Sequence, residues 1–155
     1  SQVLSRELYE KSSDANSDVK IVAVDLQEMA PLPGVVQLKG DITKRSTAES
    51  IISHFDGNRA DIVLSDGAPD VTGLHDVDEY VQAQLILAAL NITTHVLREG
   101  GTFCAKIFRG KDVTLLYEQL KLFFTDVTVA KPKSSRNSSI GLLPLTKDET
   151  IFINR

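Results

Sequence analysis

Two short β-branched runs, Ile62-Val63-Leu64 and Thr102-Phe103-Cys104, flank one long helical pattern, and each leads into a charged residue, Asp66 and Lys106. Strand, crossover helix and strand in that order constrain the chain to a parallel pair. The acid and the amine then stand at the same edge of one sheet. Open α/β sheets bind ligands outside the carboxyl ends of their strands. An Asp–Lys pair there can tune the amine's pKa or orient it, as a general base requires.

The same alternation runs along the chain. Ser1–Glu10 reads as a helix with Val3, Leu4 and Leu8 on one face, and Lys11–Asp18 as a polar, Ser-rich loop. Strand patterns follow at Lys20–Asp25 and Val35–Lys39, separated by a break at Met29–Gly34 that contains Pro31 and Pro33. Thr47–Phe55 reads as a helix with Ser46 as its cap, and Asp61–Ser65 as the next strand. The long helix spans about Asp78 to Arg98, with Val81, Leu85, Ala88, Ile92 and Val96 at helical spacing and Gly100-Gly101 as its stop. A strand at Thr102–Ile107, a helix at Asp112–Phe124 and a strand at Asp126–Ala130 complete a parallel, doubly wound α/β sheet.

A length of 155 residues with 42% apolar content suits one domain. No run approaches the roughly 18 to 20 apolar residues of a membrane span, and no signal-like leader is visible. Cys104 is the single cysteine, which excludes an internal disulfide and fits a cytosolic or nuclear setting, of which the cytoplasm is the expectation. The net charge of −4 argues against nonspecific nucleic-acid binding, yet positions 101–155 carry nine Lys/Arg against five Asp/Glu. A basic half of that kind can bind phosphates; on charge alone, a solvated surface is the simpler reading.

Asp25 ends one strand and Asp41 follows the next. In Rossmann-like sheets such acids accept hydrogen bonds from a ribose diol or an exocyclic amine, although Asp is also a common turn residue. Neither Gly-x-Gly-x-x-Gly nor Gly-x-x-x-x-Gly-Lys-Ser/Thr is present, which disfavours dinucleotide and P-loop chemistry and favours a nucleoside ligand such as S-adenosylmethionine. His54, His75 and His95 show no shared metal-ligand spacing, and Ser65 has no evident His partner for a hydrolase triad.

The stretches Val24-Asp25-Leu26-Gln27, Gly40-Asp41-Ile42-Thr43, Ser65-Asp66-Gly67-Ala68-Pro69-Asp70-Val71-Thr72-Gly73-Leu74-His75-Asp76, Ala105-Lys106-Ile107-Phe108-Arg109-Gly110 and Lys131-Pro132-Lys133-Ser134-Ser135-Arg136-Asn137-Ser138-Ser139 resemble the FtsJ (RrmJ-like) family of RNA ribose 2′-O-methyltransferases. Within it, the eukaryotic branch acting on the tRNA anticodon loop is the nearest match. The resemblance implies a Rossmann-like, mostly parallel methyltransferase sheet over residues 1–140, with 141–155 as a divergent tail. It implies S-adenosyl-L-methionine as cofactor and tRNA as substrate. By the same resemblance Asp66 and Lys106 are two members of the family's Lys-Asp-Lys-Glu tetrad. Lys106 would take the 2′-hydroxyl proton, and Asp66 would orient it and lie near the methionine part of the cofactor. Asp25 and Asp41 would hold ribose and adenine, and Arg109, Lys131 and Arg136 would face RNA. A separate protein subunit would select the nucleotide.

Departures accompany the match. The family places a Gly-rich loop and its first strand immediately before a Ser-Gln-Val-Leu-Ser helix, and this chain starts at that helix. The expected sheet therefore lacks its first strand. Gly141 stands where the family has the tetrad glutamate; Glu149, before Thr150-Ile151-Phe152-Ile153, leaves a strand with a substitute glutamate open as an alternative to a divergent tail. A non-catalytic RNA- or partner-binding module is the competing function.

Overall fold

Parallel pairing of two apolar strands through a helix organises the larger part of the chain. The computed structural model describes residues 2–11, 19–68, 74–108, 113–130 and 148–154. They fall into two compact units, divided between Asn58 and Arg59.

The first unit contains α1 (Gln2–Lys11), β1 (Ile21–Asp25), β2 (Val35–Lys39) and α2 (Arg45–Ser53). β1 and β2 pair in parallel, from Ile21 opposite Val35 to Asp25 opposite Lys39. Their connection carries no helix. It closes on a turn in which the Val35 amide donates to the Leu32 carbonyl, with Pro33 second and Gly34 (φ 75°) third. Pro at the second position and a positive φ at the third define a type II turn, which is why glycine sits there. α2 starts at Arg45 with Lys44 as a cap that makes no side-chain bond, so Ser46 lies inside the helix instead of capping it. A Cβ on Gly40 would stand 2.8 Å from the side chain of the buried Thr47, so glycine is what lets α2 approach the end of β2. In α1, Val3 and Leu8 are exposed while Ser5 is buried and donates to the Pro33 carbonyl. The apolar face expected there is therefore not the buried one.

The second unit contains β3 (Ala60–Ser65), α3 (His75–Val96), β4 (Leu97–Phe108), α4 (Val113–Lys121), β5 (Asp126–Ala130) and β6 (Asp148–Asn154). Its sheet has the order β3-β4-β6-β5. β3 and β4 are parallel, whereas β6 is antiparallel to both β4 and β5. The segment set apart as a tail thus supplies a strand, built from the β-branched and aromatic run Thr150–Ile153.

β4 alternates as a half-buried strand should: Phe103, Ala105 and Ile107 are buried, and Thr102, Cys104 and Lys106 are partly exposed. Phe103 stacks on Phe124 with ring centroids 6.0 Å apart, and Leu116 and Leu120 of α4 are buried too. The helix stop differs from expectation. α3 ends at Val96 and Leu97 is already paired with Ala60. Gly100 (φ 71°) and Gly101 instead form a bulge between Leu97 and Thr102. A Cβ on Gly101 would lie 2.7 Å from the Leu97 side chain and 3.0 Å from the Arg98 carbonyl oxygen, so the bulge needs glycine. The buried stripe of α3 is also rotated: Gln82, Ile86, Ala89, Leu90, Ile92, Thr93 and Val96 are buried, whereas Val81 is 37% exposed. The helix is apolar almost all round at Leu85–Leu90, so spacing alone left its facing undetermined.

Phe103→Ala is expected to lower unfolding free energy by about 3–5 kcal/mol, the range for truncating a buried aromatic, while Ile62→Ala, at 46% exposed, should cost much less. Urea denaturation of the two variants measures the contrast.

Candidate active site

Asp66 and Lys106 occupy equal positions on neighbouring parallel strands. The last β3–β4 pair is Ser65 with Ala105, so Asp66 is the residue just past β3 and Lys106 is the next residue of β4, which runs on to Phe108. Lys106 Nζ lies 3.2 Å from Asp66 Oδ1, with the lysine side chain 34% exposed and the aspartate side chain 85% exposed. The pair is open to solvent on the carboxylate side and partly enclosed at the amine. Such a pair contributes little to stability. An amine held beside a carboxylate at a strand end can accept or donate a proton at a bound hydroxyl. The α3 side chain of Leu85 lies 3.8 Å from the Cβ position of Gly67, so the helix backs the loop that leaves Asp66.

Asp25 and Asp41 belong to the first unit, Asp66 and Lys106 to the second. Asp25 is the last residue of β1, and its backbone carbonyl accepts from the Gly40 amide at 2.9 Å, which brings the ends of β1 and β2 together. Its side-chain Oδ1 accepts from the Gln27 amide at 2.8 Å. Asp41 Oδ1 accepts from the Thr43 amide at 2.9 Å and the Thr43 hydroxyl at 2.7 Å. Both carboxylates therefore brace their own turns, as the turn-residue reading requires, and both carry a second oxygen that remains able to accept from a ligand. The Thr43 hydroxyl and amide hold the Asp41 carboxyl below the usual carboxylate range, against a smaller opposing effect of desolvation and with help from the Lys44 charge. Thr43 escaped the sequence reading, although Asp-x-Thr is a recognisable signal for this local bonding.

Arg109, Lys131 and Arg136 lie outside the described residues, as does the part of the Asp66 motif at 69–73. Glu149 sits on β6 opposite Ile107, and Thr150 is the residue opposite Lys106. Cys104 is half-buried, and burial pushes its thiol up, which suits a packing residue better than a nucleophile. Among the described residues no cluster of His, Cys, Asp or Glu could hold a metal, and no helix is long and apolar enough to cross a membrane.

Residues 1–141 match the family of FtsJ-like methyltransferases. Over 140 residues the chain is 68% identical to the human tRNA (cytidine(32)/guanosine(34)-2'-O)-methyltransferase, which covers 90% of this chain and 41% of that protein. It is 57% identical over 149 residues to the Drosophila melanogaster tRNA (guanosine(34)-2'-O)-methyltransferase, covering 96% of this chain and 47% of that one. The chain thus spans less than half the length of these two relatives. A ribosomal RNA methyltransferase from Plasmodium falciparum has a similar structure, with a TM-score of 0.72 at 24% identity over 86% of this chain and 70% of that chain. This likeness establishes the Rossmann-like methyltransferase fold.

Two outcomes follow from the geometry. Asp66→Asn and Lys106→Met should each change unfolding free energy by no more than about 1 kcal/mol, because the pair is open to solvent on the carboxylate side; thermal melts check this. Thr43→Val should raise the Asp41 pKa toward the ordinary carboxylate value, read by an NMR titration of its side-chain carboxyl carbon. The sign for stability is that of a depressed acid: the Thr43–Asp41 contribution is present above the ordinary carboxylate range and is lost as pH falls through the lowered value.

Proposed function

Because the chain belongs to the FtsJ-like methyltransferase family, we propose that the protein carrying it transfers a methyl group to a ribose 2′-hydroxyl in the anticodon loop of tRNA. The observation that carries this reading is the 3.2 Å approach of Lys106 Nζ to Asp66, one residue past the last β3–β4 pair. The tRNA specificity rests on relatives named for positions 32 and 34. S-adenosyl-L-methionine supplies an electrophilic methyl group on a sulfonium. With that group bound, Lys106 would accept the proton of the ribose 2′-hydroxyl, the oxygen that takes the methyl group. Asp66 orients Nζ for that step. Asp25 and Asp41 fit a nucleoside by their chemistry, since a braced carboxylate at a strand end accepts from ribose hydroxyls or an adenine amine. Arg109, Lys131 and Arg136 carry the phosphate contacts, where a planar guanidinium recognises more than a point charge does. A separate subunit chooses the nucleotide, and the reaction takes place in the cytoplasm.

In the full-length protein, Lys106→Ala should lower methyl transfer to unmodified tRNA by about 10²- to 10⁴-fold and leave S-adenosylmethionine binding by calorimetry nearly unchanged. Near-normal turnover would remove Lys106 from the reaction. Asp25→Ala should weaken cofactor binding by about 1–3 kcal/mol, the cost of unpaired hydroxyls; unchanged affinity would leave Asp25 as a turn residue only.

A further inference from the structure

Gln82 is a buried polar side chain that the chemistry above does not use. It lies in the third turn of α3, is 2% exposed, and is among the largest fully buried side chains of the described residues. Burying a primary amide is unfavourable unless it is hydrogen-bonded. Gln82 Nε2 donates to the backbone carbonyl of Lys106, at 3.3 Å. Lys106 is the first β4 residue past the last β3–β4 pair; β6 continues beside it, with Thr150 opposite, so it is on the β3 side that the ladder has stopped. The ion pair is a weak means of fixing this geometry, since the Asp66 side chain is 85% exposed. The residue flanking Lys106 on each side, Ala105 and Ile107, is anchored in the core at 1% exposed.

We propose that Gln82 is a positioning residue for Lys106: its buried amide, held by α3, fixes the Lys106 backbone at the end of the β3–β4 ladder and so keeps Nζ at Asp66. The inference deepens, and rests on, the reading of Lys106 as the base. α3 then has two tasks, connecting the two strands and setting the position of the amine relative to Asp66.

The test uses the full-length protein. Gln82→Met keeps the length of the side chain and removes the donor; Gln82→Glu keeps the shape and turns an acceptor toward the same carbonyl. Each is expected to lower kcat by about 10- to 100-fold, as a misplacement of roughly 1 Å does, with KM for tRNA and for S-adenosylmethionine unchanged. On the residual rate of Lys106→Ala, neither should cause a further loss, because both changes act through one amine. A crystal structure of either variant should show Lys106 Nζ and Asp66 Oδ1 separated beyond about 4 Å, the limit of an ion pair. Unchanged kcat per folded molecule, an equal loss in the Lys106→Ala background, or an intact pair in the crystal would each overturn the proposal. Should Lys106→Ala itself retain turnover, the base reading fails, and the distance in the crystal alone decides the role of Gln82.

Discussion

Residues of equal register on parallel strands stand at one height, and the β3–β4 ladder stops at Ser65 opposite Ala105. Everything chemical in the second unit depends on that stopping point. One residue further on, Asp66 follows the largely exposed β3, while Lys106 is carried by β4, whose alternate residues are packed. Phe103, Ala105 and Ile107 bind one face of β4 into the core, and alternation turns Lys106 the other way. A precise amine therefore costs the fold little, because its support is the same apolar burial that stabilises the sheet.

The first unit reaches a similar end by other means. β1 and β2 are short and partly exposed along their length, and their carboxylates are fixed by local turns. Gln27 braces Asp25, and Thr43 braces Asp41. Gly40 allows α2 to close against the loop that holds Asp41. Here position comes from hydrogen bonds within a few residues, whereas at Lys106 it comes from contacts distant in sequence. Local bracing of this kind also explains why Asp25 and Asp41 read equally well as turn residues and as ligand acceptors.

Much of this was legible in the residues. The β-branched runs at Ile62–Leu64 and Thr102–Cys104 give β3 and the centre of β4, and the helical pattern between them gives a parallel crossover. The strands at Val35–Lys39 and Asp126–Ala130 have the bounds the pattern predicts. What escaped depends on tertiary packing. Gly100-Gly101 is chemically fit both to stop a helix and to form a bulge, and only the pairing of Leu97 with Ala60 decides between them. The facing of α3 was hidden because its apolar residues nearly encircle it. Gln82 was hidden for a related reason: a glutamine in a helical pattern looks solvated until its partner, a backbone carbonyl beyond the crossover, is in place. At the site, motif spacing brought Asp66 and Lys106 to one edge, but gave no sign of which residue opposes Lys106 on β6.

β6 enters the sheet between β4 and β5, antiparallel to both. Chain order and spatial order thus disagree: β5 follows β4 through α4 but does not pair with it, and the place between them is filled by a later segment. The helical crossovers α3 and α4 can form from local contacts. Of the two ladders of β6, that with β4 joins residues more distant in sequence than that with β5, and distant pairings are the slower class of event in folding. Until β6 arrives, β4 offers an open edge beside a strongly apolar face, the kind of surface on which chains associate wrongly. The strand that lies against Lys106 therefore closes the sheet through its most sequence-distant pair, Thr102 with Asn154.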